Sequence, residues 1–378
     1  MNDVVVAGFA RSPFHPSRKG ALIDIRPDDL AAQVVTGLIE RLQLDPQLIE
    51  DLVLGCSYPE AEQGHNLARI VSFRAGIGAH VPGVTINRFC GSSMSAVHYA
   101  AGQIALGMGD AFIAGGVESM TRVPQGGFNK SPNPHLQQTY SEVYTPMGVT
   151  AENVARQYQV SRAAQEALAV SSHAKAAAAR AEGRLAAEIV AISTPGGLVS
   201  EDGCIRPGTN AEALANLKPA FGDDGSVTAG TSSPLTDGAS ATLICSAAFA
   251  REHGLVPLAR FRSAAVAPVP PELMGIGPIP ASRKALARAG ISVRELDVIE
   301  INEAFASQAL VCVRELELDE ARINLDGGGL AIGHPLWATG ARLVGKAAQL
   351  LQRNGGRYAL ATQCIGGGQG IATVLEAI

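Results

Sequence analysis

Cys90 stands in the run Asn87-Arg88-Phe89-Cys90-Gly91-Ser92-Ser93-Met94, where an apolar stretch ending in Val84-Thr85-Ile86 gives way to a small-residue helical pattern, Ser95 to Leu106. This spacing predicts a thiol at a helix start, where backbone N–H groups and the helix dipole favour the nucleophilic thiolate. A cysteine of a reducing compartment is more often a small packing residue, so the nucleophile reading needs company. Two features supply it. Gly333-His334-Pro335 offers a base that titrates near neutral pH, and Cys364-Ile365-Gly366-Gly367-Gly368 offers a second thiol beside a bend of exposed backbone donors. Together they predict chemistry on thioesters.

The elements that must position these groups are apolar runs of strand length alternating with Ala-rich helical patterns, which argues α/β architecture. The strands expected are Val4–Gly8, Leu52–Gly55, Ala111–Gly115, Ala241–Cys245, Leu258–Ala264, Val298–Ile301 and Ala359–Thr362, with another near Ile371–Leu375. Helical patterns cover Asp29–Leu42, Ser95–Leu106, Arg162–Glu182, Ser282–Ala289, Ala304–Arg314 and Thr339–Arg353. From Met120 to about Phe221 the chain turns rich in Pro, Gly, Asn and Gln around one long Ala-rich helix, which reads as an inserted segment. The domain organisation expected is one half from 1–119 with 222–248, a loop domain at 120–221, and a second half at 249–378.

A displacement of 246 residues superposes three landmarks of the two halves. Asp51-Leu52-Val53-Leu54 falls on Asp297-Val298-Ile299-Glu300, Cys90-Gly91-Ser92-Ser93 on Leu336-Trp337-Ala338-Thr339, and Ala111-Phe112-Ile113-Ala114 on Arg357-Tyr358-Ala359-Leu360. A duplicated α/β half would set the helix starts at Cys90 and at His334-Pro335 in equivalent places, two N-termini facing one anion-stabilising pocket.

Composition bounds the remaining possibilities. A chain of 378 residues exceeds the size at which single cores stop growing, and with 47% hydrophobic against 17% charged residues it can bury a large core. A net charge of -5 gives no electrostatic reason to expect nucleic acid as a partner. The six cysteines include no Cys-x-x-Cys pair and no zinc spacing, so no metal is expected. With reduced thiols, no N-terminal signal pattern and no run long enough to span a bilayer, a cytoplasmic protein is expected. The glycine run at 366–368 lacks the spacing of a dinucleotide fingerprint and the acidic residue that should follow it.

Along nearly its whole length the chain resembles the thiolase family. The blocks that carry the resemblance occur in the family's order. They are Asn87–Ser93; Gly115-Gly116-Val117-Glu118-Ser119-Met120; Met147-Gly148-Val149-Thr150-Ala151-Glu152-Asn153; Val227-Thr228-Ala229-Gly230 with Thr236-Asp237-Gly238-Ala239; Met274–Ser282; Asn302-Glu303-Ala304-Phe305; Gly333-His334-Pro335; and Cys364–Gly368. The resemblance implies two similar α/β halves in a five-layered α-β-α-β-α core with an inserted loop domain, assembled as homodimers or homotetramers. It implies an acyltransferase of fatty-acid β-oxidation that cleaves 3-ketoacyl-CoA, with coenzyme A as substrate and no permanently bound cofactor. A short-chain acetoacetyl-CoA enzyme is the alternative.

In those roles Cys90 would carry the acyl group, His334 would deprotonate it, and Cys364 would exchange a proton with the acetyl-CoA enolate. Asn302 with His334 would hold the enolate oxygen, and the backbone N–H groups of Cys90 and Gly366 the tetrahedral oxyanion. Glycines at 366 to 368 suit a bend needing positive φ. The resemblance points to Ser263 as a pantetheine contact and Met147 as a substrate or coenzyme A contact; Arg206 and Lys218 could meet the nucleotide end. His98 and Glu303 read as structural, and Cys56, Cys204, Cys245 and Cys312 as packing residues.

A decarboxylating condensing enzyme of the same superfold would usually pair its cysteine with two histidines or His/Asn, which Cys364 disfavours. A non-catalytic acyl-CoA-binding relative should have lost one of Cys90, Asn302, His334 and Cys364. Three departures from the family pattern stand out. Trp337, the only tryptophan, replaces the usual glycine after Gly333-His334-Pro335-Leu336, either walling the acyl pocket or turning outward as a surface anchor. Asp326 stands where Asn is common, so a hydrogen bond near the His334 loop should differ. Pro146-Met147-Gly148 replaces the His-Met-Gly of short-chain biosynthetic members, tilting the reading toward degradation.

Overall fold

The computed structural model describes residues 2–378. Its main strands are β1 (Val4–Arg11), β2 (Asp51–Gly55), β3 (Gly83–Ile86), β4 (Ala111–Glu118), β5 (Thr236–Ser246), β6 (Ala259–Pro268), β7 (Leu296–Ile301), β8 (Tyr358–Ile365) and β9 (Gln369–Glu376). They run in the order β7-β8-β9-β6-β1-β5-β4-β2-β3, with the short His15–Pro16 strand paired to β5.

The order contains a repeat. β1 pairs antiparallel with β5, β5 antiparallel with β4, and β4 parallel with β2. The series β6, β9, β8, β7 repeats the same three relations. The two series join only where Val5 meets Arg260 and Val6 meets Ala259.

Both series are covered on both faces, and the residue pattern shows why. Along β1, Val5 and Ala7 enter one core while Val4 and Val6 enter another, as period-two alternation requires. Likewise Leu360 of β8 and Ile299 of β7 face an outer core, with Ala361 and Val298 facing inward. The helix Pro27–Leu42 packs on the outer face of the first series, and Pro278–Ala289 and Ala306–Glu315 on that of the second. Between the sheets lie Ser92–Ala105 and Leu336–Asn354, giving five layers. The two central helices approach so closely that a Cβ on Gly340 would fall 2.4 Å from Met94 N, a separation only glycine permits.

The strands expected from sequence all occur, most extended by a few residues at one or both ends. The strand β3 and the helices Leu67–Arg74 and Met147–Gln157 were not anticipated. The long helix of the middle segment runs Arg162–Ala181, started by the Ser161 hydroxyl accepting from Ala164 N at 3.2 Å. The segment docks by apolar contacts, Ala151 and Met147 meeting Phe305 and Cys364.

Buried charge ties the middle segment to the rest. Arg11 pairs with Glu188 and Asp202, both at 2.7 Å, and Lys346 with Glu188 at 2.8 Å and Asp326 at 2.7 Å. Asp326 also receives Arg353 at 2.6 Å and Arg184. The aspartate at this position is thus a fully buried anion shared by three cations.

Candidate active site

Cys90 follows β3 through the tight Asn87–Gly91 turn. Arg88 N donates to Ser92 Oγ at 2.9 Å, Phe89 N donates to Asn87 Oδ1 at 3.0 Å, and the Ser92 hydroxyl donates to Phe89 O at 2.6 Å. These bonds hold Phe89 at φ +43, a strained conformation for an aromatic residue, immediately before the thiol. The helix Ser92–Ala105 begins two residues after Cys90.

Cys364 closes β8 and is buried. The adjoining backbone meets the Cys90 turn directly, since the Gln363 amide donates to Cys90 O. The N–H groups of Gly366 and of Cys90 itself lower the Cys90 thiol against the effect of burial. The bend returns through Gly367 and Gly368, both near φ +75. Gly366 is not in this left-handed region. A Cβ there would make only ordinary contacts, 3.6 Å from Met147 Sδ and 3.7 Å from Phe89, so neither φ nor space demands glycine at 366. That corrects the expectation that all three glycines serve positive φ.

His334 comes next. Gly333, at φ +107, ends the short helix Gly329–Ile332 and turns the chain so that His334 N donates to Thr236 Oγ1 at 3.0 Å. The buried ring sets Nδ1 2.6 Å from Thr339 Oγ1. Asn302, just past β7, is anchored by its N–H to Thr362 O at 3.0 Å and brings Nδ2 within 3.3 Å of His334 Nε2 and 3.4 Å of Nδ1. Glu303 braces this corner from beneath, accepting from Ser172 Oγ at 2.6 Å, Asn324 Nδ2 at 2.7 Å and Leu330 N at 3.2 Å.

Electrostatically the resting site is neutral. Burial pushes the Cys90 thiol up to about 11, and the N–H groups of Gly366 and Cys90 only partly counter this. The helix-start effect expected from sequence is therefore outweighed by desolvation. Burial also lowers His334 to about 3. Cys364 is raised well above the ordinary thiol range by burial and by the neighbouring Cys90. Neutral thiols and a neutral imidazole suit proton shuttling with no standing ion pair.

The structure thus gathers Cys90, Cys364, Gly366 and Met147 on one side and pairs Asn302 with His334 on the other. Ser263 is not among them. It lies on β6 opposite Val374, and its hydroxyl donates to Ala285 O at 2.7 Å on the outer helix. Cys364 belongs with Gly370 and Ala267, four residues further along β6, or about 13 Å at the rise of a strand. The segment that does reach the site is Ser232–Thr236: Ser233 N donates to Ala304 O at 2.9 Å, and Leu235 bridges to His334. Its proximity to the Val227–Gly230 block was the available sequence signal. Thr339 and Gln363, one turn and one residue from known landmarks, were also passed over.

Trp337 turns inward. It is fully buried, its ring 5.6 Å from that of Tyr58, and the surface-anchor reading falls. Asp326 is spent on its three cations rather than on the His334 loop. His98 meets Thr373 Oγ1 at 2.7 Å and the edge of Phe261, a packed core position. Arg206 and Lys218 are exposed.

Comparison with known proteins agrees with this geometry. The family described as Thiolase, N-terminal domain matches residues 4–248, and Thiolase, C-terminal domain matches 255–377. The chain belongs to the thiolase family. Its thiolase relatives align end to end. A protein of Bacillus subtilis named 3-ketoacyl-CoA thiolase is 44% identical over 389 residues, covering 100% of both chains. One of Saccharophagus degradans with the same name is 44% identical, covering 100% of this chain and 98% of its own, and one of Shewanella sp. (strain MR-7) is 47% identical over 100% of both. The five-layered arrangement is the thiolase fold. No helix among the described residues is long and apolar enough to cross a membrane.

Proposed function

We propose that this chain cleaves 3-ketoacyl-CoA with coenzyme A, giving acetyl-CoA and a shortened acyl-CoA through an acyl thioester on Cys90. The observation that carries the reading is the meeting of Cys90 with the Cys364–Gly366 bend, in a chain that also pairs Asn302 with His334. As Cys90 attacks the keto carbon, His334 takes its proton. The carbon–carbon bond breaks, its electron pair forms the acetyl-CoA enolate, and Cys364 protonates the enolate carbon. The thiol of a second coenzyme A gives its proton to the Cys364 thiolate, attacks the Cys90 thioester and expels the Cys90 thiolate, which takes back the proton held by His334. Reversal of these steps is a Claisen condensation.

Each oxyanion has its own donors. The N–H groups of Cys90 and Gly366, which already lower the Cys90 thiol against burial, are suited to the tetrahedral oxygen. Asn302 Nδ2, with His334 once protonated, suits the enolate oxygen. Loss of one such donor typically costs ~10²–10³ in rate. Met147 and Phe89, flanking Gly366, are placed to meet the pantetheine arm or the acyl group. Coenzyme A enters as substrate, and the protein acts as a homo-oligomer in the cytoplasm. The homo-oligomer is supported by the edge strand β3, half-buried throughout and flanked by exposed Ile70 and Phe73.

The test is coenzyme A-dependent thiolysis of a 3-ketoacyl-CoA panel from acetoacetyl to long-chain esters, with Cys90→Ala as control. Turnover lost in the control, with an acyl adduct on Cys90 by mass spectrometry, is expected. Folded protein that turns over none of the esters would refute the reading.

A further inference from the structure

Glu118 ends β4 with a fully buried side chain, and neither carboxyl oxygen has a hydrogen-bond partner among the described residues. It pairs in register with Gly238, so the preceding Asp237, a second buried carboxyl, points to the opposite face of the same strand. The two are treated very differently. Asp237 accepts from Thr121 N at 3.0 Å, from the Thr121 hydroxyl and from the backbone at Met120. The Gln63 amide beside Glu118 donates instead to Tyr58 O at 3.2 Å and accepts from Ser119 N at 2.9 Å.

A buried carboxylate needs donors or a cation. Asp237 has the donors and Glu118 has none, so of the two carboxyls it is Glu118 that keeps its proton. Burial and then the Asp237 charge both push Glu118 well above the usual carboxyl range, with only Gln63 opposing. The other titratable groups that feel Glu118 are Cys56 and Tyr58, just past β2, and Cys90. All are acidic, and no cation is among them.

We propose that Glu118 is held as a neutral carboxylic acid within electrostatic reach of Cys90, and that its neutrality is what permits a thiolate to form there. A carboxylate at this position would set a second negative charge against the sulfur without solvent to screen it. Glu118 is thus a positioning residue for charge rather than a group that touches substrate. The inference rests on the reading of Cys90 as the nucleophile.

Two measurements test it, neither requiring turnover. Infrared spectra of native protein carrying 13C-carboxyl glutamate should show, at neutral pH, an acid carbonyl band that moves with the label; the band should be absent in Glu118→Gln. The rate of iodoacetamide alkylation at Cys90, located by peptide mass spectrometry, should follow the same pH curve in native protein and in Glu118→Gln near neutrality. Above the pH at which the acid band disappears, native protein should fall behind the variant. A missing glutamate acid band, which native protein alone can reveal, overturns the proposal. So does a Glu118→Gln alkylation rate already about tenfold above native at neutral pH, or curves that coincide at every pH. If the alkylation results hold while thiolysis is absent, the acyltransfer reading fails and the account of Glu118 stands.

Discussion

Oγ1 of Thr339 lies 2.6 Å from Nδ1 of His334 and donates its own hydrogen to Pro335 O at 3.3 Å. The hydroxyl must then accept from Nδ1–H, which fixes the tautomer and leaves Nε2, facing the Asn302 amide, as the unprotonated nitrogen that acts as base. Thr339→Val keeps the shape and removes the acceptor. Thiolysis should fall about tenfold in kcat, a part of what a positioned base contributes, with thermal stability little changed. An unaltered kcat would show that the tautomer is set elsewhere.

The raised Cys90 thiol and the lowered His334 predict a particular pH profile. A thiol pushed up to about 11 gains thiolate as pH rises, and an imidazole near 3 stays neutral across the working range. Alkylation of free protein at Cys90 should therefore climb steadily from pH 6 to pH 9, conditions chosen for the assay. A resting thiolate–imidazolium pair would instead give a plateau at neutral pH, and stopped-flow alkylation separates the two.

Glu188 carries the stability-linked titration. Burial opposes its charge, but Lys346, Arg11 and Arg342 outweigh burial and hold it at about 2. Because the folded value lies below the unfolded one, its contribution is present above pH ~4.3 and lost as pH falls toward 2. Glu188→Gln takes one of two carboxylates from each of Arg11 and Lys346, which keep Asp202 and Asp326, and should cost about 1–3 kcal/mol. Urea melts at pH 7 and pH 3 should show a larger gap between native and variant at pH 7.

Trp337 fills the core against Tyr58. Trp337→Ala should destabilise by about 3–5 kcal/mol, the usual cost of emptying such a site. Trp337→Phe should cost less. Equal melting midpoints for all three proteins would mean that the surrounding helix collapses into the gap.

Much of this was legible in the sequence, because strand alternation and the Cys90, Asn302, His334 and Cys364 blocks are local signals. The 246-residue displacement also survives in the paired strand series. The placement of Ser263 on β6, its hydroxyl donating to Ala285 O, was not legible because a serine on a strand reveals nothing of its face. The thiol of Cys90 was read from its helix start alone. The desolvation that outweighs the helix start depends on elements hundreds of residues away. The short strand β3 and the helix Met147–Gln157 lie in turn-rich stretches whose apolar pattern is weak.

Asp326 gathers Arg184 from the middle segment with Lys346 and Arg353 from the last long helix. Until the middle segment docks, Asp326 lacks Arg184 and Lys346 lacks Glu188, each keeping only part of its compensation, so partly assembled chains are penalised. The loop segment and second half should therefore complete folding in one cooperative step, with no stable intermediate in which the loop segment hangs free.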